Sequence, residues 1–156
     1  MIRRGTIEDL ELVFSIQRDA SVAGFAHVFP PELYPFPEGA VRTDLHQALT
    51  DPANVVLIDS KERGFALVGD GWLQRLYVCE RAWGSGLADD LHASALDALR
   101  ALGATSASLW CLAENARARR FYERRGWCLD GSERVVPFPP HPLDVGTAVA
   151  GARPQG

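Results

Sequence analysis

Arg81-Ala82-Trp83-Gly84-Ser85-Gly86 joins a strand-like apolar run at residues 76–79 to an alanine- and leucine-rich stretch at residues 87–102 that predicts a long helix. A strand, a short glycine loop and a helix start can hold a phosphate, because the first helical N–H groups are unpaired and the dipole is positive there. Glycine lets the backbone approach an anion closely, and Arg81 would add a fixed positive charge. A tight strand–helix turn that holds no ligand explains the hexapeptide equally well.

Length and composition fit one compact globular domain. The chain has 156 residues, of which 47% are hydrophobic, which is enough for a sizeable core. We expect a single domain over residues 1–150 and a flexible tail over residues 151–156. No apolar run reaches the about 18 residues that a membrane span needs. The N-terminus lacks the apolar core of a signal peptide, so we expect a cytoplasmic protein without membrane contact.

Charge and cysteine usage argue against two further classes of protein. The net charge of −4 disfavours nucleic-acid binding by charge alone. The three cysteines, Cys79, Cys111 and Cys128, have no C-x-x-C spacing. This count and spacing indicate reduced, buried thiols and no metal site, with a catalytic thiol as the less favoured alternative.

Hydrophobic periodicity and turn residues predict a mixed α/β fold. Thr6 is the expected N-cap of a first helix ending near Ala20, with Asp9 at the capping-box position. Further helices are expected at 39–49, 87–102 and 115–125, and strands at 2–4, 54–59, 65–68, 72–79, 105–112, 127–136 and 143–150. The early strands form hairpins, whereas residues 72–112 form a strand–helix–strand unit whose two strands should be parallel. A mixed sheet with helices on both faces follows.

A second motif, Asn115-x-x-Ala118-x-x-Phe121-Tyr122-x-x-x-Gly126-Trp127, follows the second strand of that unit. Asn115 stands at the start of the predicted helix, where it could act only as an N-cap. Phe121 and Trp127 are interpreted as core residues. Tyr122 lies two turns after Asn115, and a core aromatic with a satisfied hydroxyl is the alternative to a role in chemistry.

The two motifs together resemble the GNAT superfamily of acyl-CoA-dependent N-acyltransferases. The family pattern is a Q/R-x-x-G-x-G/A loop followed by N-x-x-A-x-x-F-Y-x-x-x-G-F/W. This chain carries Arg81-x-x-Gly84-x-Gly86 and then the Asn115 to Trp127 motif, in that order and on the expected elements. The resemblance implies a central mixed, mostly antiparallel twisted sheet of six to seven strands, with about four helices on its two faces.

The resemblance also implies acetyl-CoA as the co-substrate, bound in a V-shaped gap between two parallel strands. The residues that would bind it are Leu76, Tyr77, Val78, Arg81, Trp83, Gly84, Ser85, Gly86, Leu87, Ala88, Asn115 and Tyr122. The Val78 N–H would stabilise the thioester oxyanion. Tyr122 would protonate the departing CoA thiolate as a general acid. Direct transfer to a primary amine, without a metal and without an acyl-enzyme, is the expected reaction.

The acceptor is the least constrained part of this interpretation. By the resemblance, the proline-rich aromatic segment at residues 29–37 would form one wall of the acceptor site, with Phe29, Glu32 and Tyr34 as candidate contacts. Its alternative role is to cover the core. A small-molecule or peptide amine with an apolar body is the expected partner, and a homodimer is compatible with these features.

Two departures from the family pattern bear on activity. Many members carry a general-base glutamate early in the strand before the glycine loop, and Trp72 stands at that position here. By the resemblance, the segment that lines the acceptor site carries four candidate bases, none of which is singled out: His27, Glu32, Asp44 and His46. Asp89 and Asp90 follow the loop, where they would repel a pyrophosphate if they faced it. These departures keep open a second hypothesis, a non-catalytic acyl-CoA-binding or sensor domain. A nucleotide-dependent oxidoreductase is disfavoured because Asp89 replaces the third glycine of its fingerprint.

Overall fold

The computed structural model describes residues 1–26, 32–33, 35–112, 115–137 and 146–154. This part of the chain holds four α-helices and seven strands, which confirms the predicted mixed α/β fold. In chain order they are β1 (Ile2–Arg4), α1 (Leu10–Phe25), α2 (Glu38–Thr50), β2 (Asn54–Asp59), β3 (Gly64–Gly69), β4 (Trp72–Val78), α3 (Leu87–Ala101), β5 (Leu109–Leu112), α4 (Ala116–Arg124), β6 (Trp127–Pro137) and β7 (Gly146–Pro154).

The predicted capping box at the first helix is present. The Thr6 side chain accepts from the Glu8 N–H at 3.2 Å, and an Asp9 carboxylate oxygen accepts from the Thr6 N–H at 2.9 Å. A short 3-10 turn, Ile7–Asp9, then leads into α1. The helix continues to Phe25, past the predicted end near Ala20, because residues 20–24 contain no proline to stop it.

The strands form two antiparallel sheets that meet at one point. The first has the order β1-β2-β3-β4, and the second has the order β5-β7-β6. A parallel bridge pairs Trp72 with Ser108, and the Leu73 N–H donates to the Ser108 carbonyl at 2.8 Å. The predicted parallel arrangement is therefore confirmed at this bridge. Within the described residues β4 and β5 pair no further, so a gap opens between them.

The end of the chain differs from its prediction. β7 lies between β5 and β6, and Ala152 pairs with both Leu109 and Leu129. Residues 151–154, expected in the tail, are part of this strand because both neighbouring strands supply backbone partners for it. β5 begins at Leu109, not at 105, and is only four residues long.

Helices cover both faces of the first sheet, as predicted. On one face, Leu91, Ala95 and Leu99 of α3 belong to a buried cluster with strand residues. On the other face, Phe14 of α1 and Leu45 of α2 belong to a second cluster. Burying each large apolar side chain contributes about 1.5–3 kcal/mol, so these clusters hold β4 firmly between two layers. Among the helices of the described ranges, none is long and apolar enough to cross a membrane.

Candidate active site

A cleft of about 390 Å³ lies between the end of β4, the start of α3, α4 and the last turns of α1. Seven predicted cofactor residues line it: Leu76, Tyr77, Val78, Trp83, Ala88, Asn115 and Tyr122. We call residues 76–78 with the loop and helix start at 84–89 the backbone wall. Residues 115–122 are the side-chain wall. Ala20, Ala23 and Gly24 of α1 close one end of the cleft with small side chains.

The backbone of β4 presents its free edge to this cleft. The Cys79 N–H donates to the Arg63 carbonyl at 2.8 Å, on the side where β3 lies. Backbone groups of successive strand residues point to opposite edges, so those of Leu76 and Val78 face away from β3. The Trp83 indole N–H donates to the Val78 carbonyl at 2.9 Å, which agrees with this direction. The N–H groups of Leu76 and Val78 therefore point into the gap.

The loop after β4 depends on glycine. Gly84 has φ of 79° and Gly86 has φ of 89°, both in the left-handed region that side chains disfavour. An added Cβ at either position would find open space, so the cost of substitution there is backbone strain and not a clash. Between them, the Ser85 hydroxyl donates to the Ala82 carbonyl at 2.5 Å and fixes the loop.

The start of α3 has unpaired donors. The Leu87 N–H donates to the Ser85 hydroxyl at 3.3 Å, and the first helical bond runs from the Asp90 N–H to the Gly86 carbonyl. Among the described residues, the N–H groups of Gly86, Ala88 and Asp89 find no acceptor. These three N–H groups without an acceptor stand at the positive end of a 15-residue helix, an arrangement that can bind an anion.

Two predicted cofactor side chains lie elsewhere. The Arg81 guanidinium donates to the Glu62 carbonyl at 3.2 Å and lines a separate depression beside α1. The Leu87 side chain is buried in the core under α3. At the cleft itself the loop presents Trp83. Any contact of Leu87 with a ligand would therefore be through its backbone.

Asn115 begins the side-chain wall. Its side-chain oxygen accepts from the Ala118 N–H at 3.1 Å, which confirms the N-cap interpretation. Because Asn115 also lines the cleft, its amide nitrogen can still meet a ligand there. The capping interaction and a ligand contact do not exclude each other.

Tyr122 sits in a cluster of rings. Its ring centroid lies 5.2 Å from that of Phe121, 5.9 Å from that of Trp127 and 6.4 Å from that of His92. Burial raises the pKa of the Tyr122 hydroxyl well above its usual value, with smaller contributions from Cys111 and Tyr77. The phenol is therefore protonated at neutral pH, as a proton donor must be.

His92 is buried beside Tyr122 and was not singled out from the sequence. Its Nε2 accepts from the Trp127 indole N–H at 2.9 Å. Burial lowers the pKa of this imidazole, and the nearby Arg125 lowers it further. A neutral histidine whose acceptor nitrogen is already occupied supports the ring cluster and is poorly placed to act as a base.

Arg117, like His92, lies at the site but was not singled out from the sequence. Its guanidinium carbon lies 3.4 Å from the centroid of the Trp83 ring, a cation–π contact across the cleft. Burial lowers the pKa of Arg117, although the guanidinium stays charged at neutral pH. In the sequence Arg117 is one of five arginines within residues 117–125, and no local pattern indicates a contact with Trp83.

The two buried thiols are poor nucleophiles. Burial raises the pKa of Cys111 to about 11 and also raises the pKa of Cys79. Both are protonated at neutral pH, and a thiol reacts as its thiolate. Neither of these two thiols is therefore suited to act as an acyl-accepting nucleophile.

The candidate bases are not gathered at the cleft. The Trp72 ring, at the position of the family glutamate, stacks on that of Trp110 with centroids 5.8 Å apart. Glu32, Asp44 and His46 are exposed. His27, Phe29 and Tyr34, named from the sequence for the acceptor side, lie outside the described residues. In the part of the chain that the structure describes, no three His, Cys, Asp or Glu side chains form a metal-binding group.

Comparison with known proteins places this geometry in context. The sequence profile described as the Acetyltransferase (GNAT) family matches residues 6–127. No curated protein matches the sequence.

Solved structures resemble this chain over nearly its whole length. A GCN5-related N-acetyltransferase from Rhodopseudomonas palustris has a TM-score of 0.81 at 18% identity, covering 100% of this chain and 95% of that one. The PaiA N-acetyltransferase of Thermoplasma acidophilum, in complex with coenzyme A, has 0.70 at 16%, covering 97% and 96%. The ribosomal-protein-S18-alanine N-acetyltransferase of Escherichia coli has 0.67 at 20%, covering 99% and 92%. At such identities the likeness shows the fold.

Proposed function

Because this chain belongs to the Acetyltransferase (GNAT) family, we propose that it is an N-acetyltransferase that transfers an acetyl group from acetyl-CoA to a primary amine. The observation that carries the proposal is the open edge of Val78, which lies in one cleft with the protonated Tyr122. The same cleft ends at the unpaired N–H groups of α3. Together these groups could pair with the backbone of the pantetheine, donate to the oxyanion, bind the pyrophosphate and protonate the leaving thiolate.

Acetyl-CoA would lie along the backbone wall. The pantetheine would pair with the free backbone edge of Leu76 and Val78, as an added strand does. Its pyrophosphate would accept from the free N–H groups of Gly86 and Ala88. Across the cleft, the amide of Asn115 would contact the pantetheine. The PaiA relative is a structure with coenzyme A bound, which supports this choice of co-substrate.

Val78 has the role of oxyanion donor. When the amine attacks the thioester carbon, the carbonyl oxygen becomes an oxyanion. A fixed N–H pointing at that oxygen stabilises the transition state without having to reorganise. The peptide plane that follows Val78 is held on both sides, because the Val78 carbonyl accepts from Trp83 and the Cys79 N–H bonds to β3. These two bonds fix the backbone directly after the Val78 N–H.

Tyr122 has the role of general acid. The amine nitrogen forms the new C–N bond, the C–S bond breaks, and the departing sulfur takes the Tyr122 proton. The nitrogen loses its extra proton to water, and solvent returns a proton to the phenol. The raised pKa of Tyr122 keeps it protonated until the thiolate forms.

The amine must arrive without its proton. Of the described residues that line the cleft, none is a carboxylate or a histidine. An alkylammonium has a pKa near 10.4, so only a small fraction is neutral at pH 7. We therefore propose that the reactive species is the free amine drawn from solution, and that acceptors of low pKa react fastest.

The test is acetyl-CoA-dependent thiol release over a panel of amines that includes polyamines, amino acids, arylalkylamines and peptide N-termini. The proposal expects that at least one amine gains an acetyl group, an added mass of roughly 42 Da, while acetyl-CoA releases free CoA thiol. About one thiol should be released for each amine acetylated. A panel without turnover, although acetyl-CoA binds, would contradict the transferase role.

A non-catalytic acyl-CoA-binding domain is the second candidate. The specific observation in its favour is Trp72, which stacks on Trp110 where a general base would stand. Calorimetric binding of acetyl-CoA without acetylation of any amine would favour this candidate. No binding of any acyl-CoA would contradict both.

A further inference from the structure

Asp89 lies in the first turn of α3, where its charge would oppose an anion at the helix start. It does not stand alone. One Asp89 carboxylate oxygen accepts from the Arg125 Nε at 2.6 Å and also from the Arg125 Nη2. Arg125 directly follows the last residue of α4, so this ion pair joins the starting turn of α3 to the end of α4.

Arg125 is itself held in place. Its Nη1 donates to the Phe121 carbonyl at 2.7 Å, and its guanidinium carbon lies 3.5 Å from the centroid of the Phe121 ring. Its side chain is 23% exposed, against 58% for that of Asp89. A cation at the end of α4 also complements the helix dipole there. The guanidinium is therefore a fixed charge and not a mobile surface arm.

The neighbouring charges provide a contrast. Asp90, next to Asp89, is exposed and has no ion pair among the described residues. The same holds for Arg124, next to Arg125. The pairing is thus specific to one acid and one arginine, and it selects the acid that follows Ala88, whose side chain lines the cleft.

We propose that Arg125 is a positioning residue that neutralises Asp89 and so keeps the start of α3 attractive to the pyrophosphate of acetyl-CoA. This inference rests on the proposed function. Without Arg125, an unpaired carboxylate would stand one helical position from the free Ala88 N–H. This negative charge would weaken the binding of the negatively charged pyrophosphate by about two- to fivefold, the usual size of the effect of one charge at a helix start.

The test compares Arg125→Gln, Asp89→Asn and the double variant for binding of acetyl-CoA at low salt. Arg125→Gln should raise the Kd about two- to fivefold with kcat unchanged, because it exposes the acid. Asp89→Asn should leave the Kd unchanged or lower it, although it breaks the same pair. The double variant should match Asp89→Asn. A double variant as weak as Arg125→Gln would overturn the proposal, since a purely structural pair predicts that result.

Two controls separate charge from structure. S-acetylpantetheine lacks the pyrophosphate, so its KM should be the same for Arg125→Gln and the unaltered protein; an equal loss with both donors would overturn the proposal. Arg124→Gln and Asp90→Asn make the same charge changes one residue away and should move the Kd less than Arg125→Gln does.

Two further outcomes are informative. If Arg125→Gln does not fold, Arg125→Lys takes its place, because it keeps the positive charge without the planar guanidinium. It should bind acetyl-CoA nearly as well as the unaltered protein does. A Kd raised as far as expected for Arg125→Gln would overturn the proposal. Unaltered protein that binds no acetyl-CoA would contradict the proposed function itself. Binding without the expected pattern among the variants would contradict only the role of Arg125.

Discussion

The backbone wall and the side-chain wall border the same cleft, yet they offer different chemical groups. The backbone wall presents N–H groups of β4 and of the start of α3. The side-chain wall presents an amide, a guanidinium and a phenol on one helix. Replacing a residue leaves its backbone N–H in place unless the new residue is proline, whereas it removes the functional group of the side chain. We therefore expect substitutions in the side-chain wall to affect activity more than substitutions in the backbone wall.

The largest expected effect comes from the side-chain wall. Tyr122→Phe removes the proton donor and should lower kcat by about 10²- to 10⁴-fold, the usual contribution of general acid catalysis. The Kd for acetyl-CoA and the Tm should change little, because the ring still fills its place beside Phe121 and Trp127. Steady-state kinetics with calorimetry checks both. A kcat within about twofold of the original would remove the general-acid role.

The backbone wall should respond to glycine replacement. Gly86→Ala places a side chain at φ of 89° and should lower stability by about 1–2 kcal/mol. It should also weaken acetyl-CoA binding by about 10- to 100-fold, by disturbing N–H bonds to a charged phosphate.

Gly103→Ala is the matched control for this change. Gly103 has φ of 93° and open space around its Cβ position, but it follows the far end of α3. It should lose similar stability and keep its affinity for acetyl-CoA. Equal affinity loss in both variants would mean that strain, and not the anion site, explains the result.

The pH dependence follows from the proposed absence of a base at the cleft. With an alkylamine acceptor, kcat/KM should rise about tenfold per pH unit between pH 7 and 9, tracking the neutral amine. Tyr122 has a raised pKa, so its protonated form persists through this range and adds no falling limb. A plateau beginning near pH 7 in the rate profile would instead reveal a protein base.

The smallest effect is expected at Trp83, whose ring contacts Arg117 of the side-chain wall. Trp83→Phe keeps a ring beneath Arg117 but removes the indole donor to the Val78 carbonyl. Losing one neutral hydrogen bond should lower kcat by about two- to tenfold, because the backbone directly after the Val78 N–H would be less firmly held. The KM for acetyl-CoA should change less than kcat does. A change confined to KM would assign Trp83 to binding and not to the oxyanion donor.

Prediction from sequence succeeded where local pattern decides structure. The capping box at Thr6, the cap at Asn115 and the hairpins of the first sheet depend on neighbouring residues. Residues 151–154 could not be assigned in this way, because their strand is stabilised by partners in β5 and β6 that lie far away along the chain.

In the candidate site, too, local patterns identified some residues, whereas contacts between distant residues could not be predicted. Val78 and Tyr122 were named from motif positions, and the structure brings both to the cleft. Arg81 was named from its place in a pattern, but its side chain turns to the Glu62 carbonyl. The partnership of Asp89 with Arg125 spans 36 residues, and no local pattern could have revealed it.

Amide hydrogen exchange with and without coenzyme A tests most directly the claim that the backbone wall binds the cofactor. The account predicts added protection at the N–H groups of Leu76, Val78, Gly86 and Ala88, which have free donors in the cleft. The strand at residues 54–59, on the other side of the sheet, should exchange as before. Binding that leaves these four amides unprotected, or that protects only α1 and α2, would contradict it.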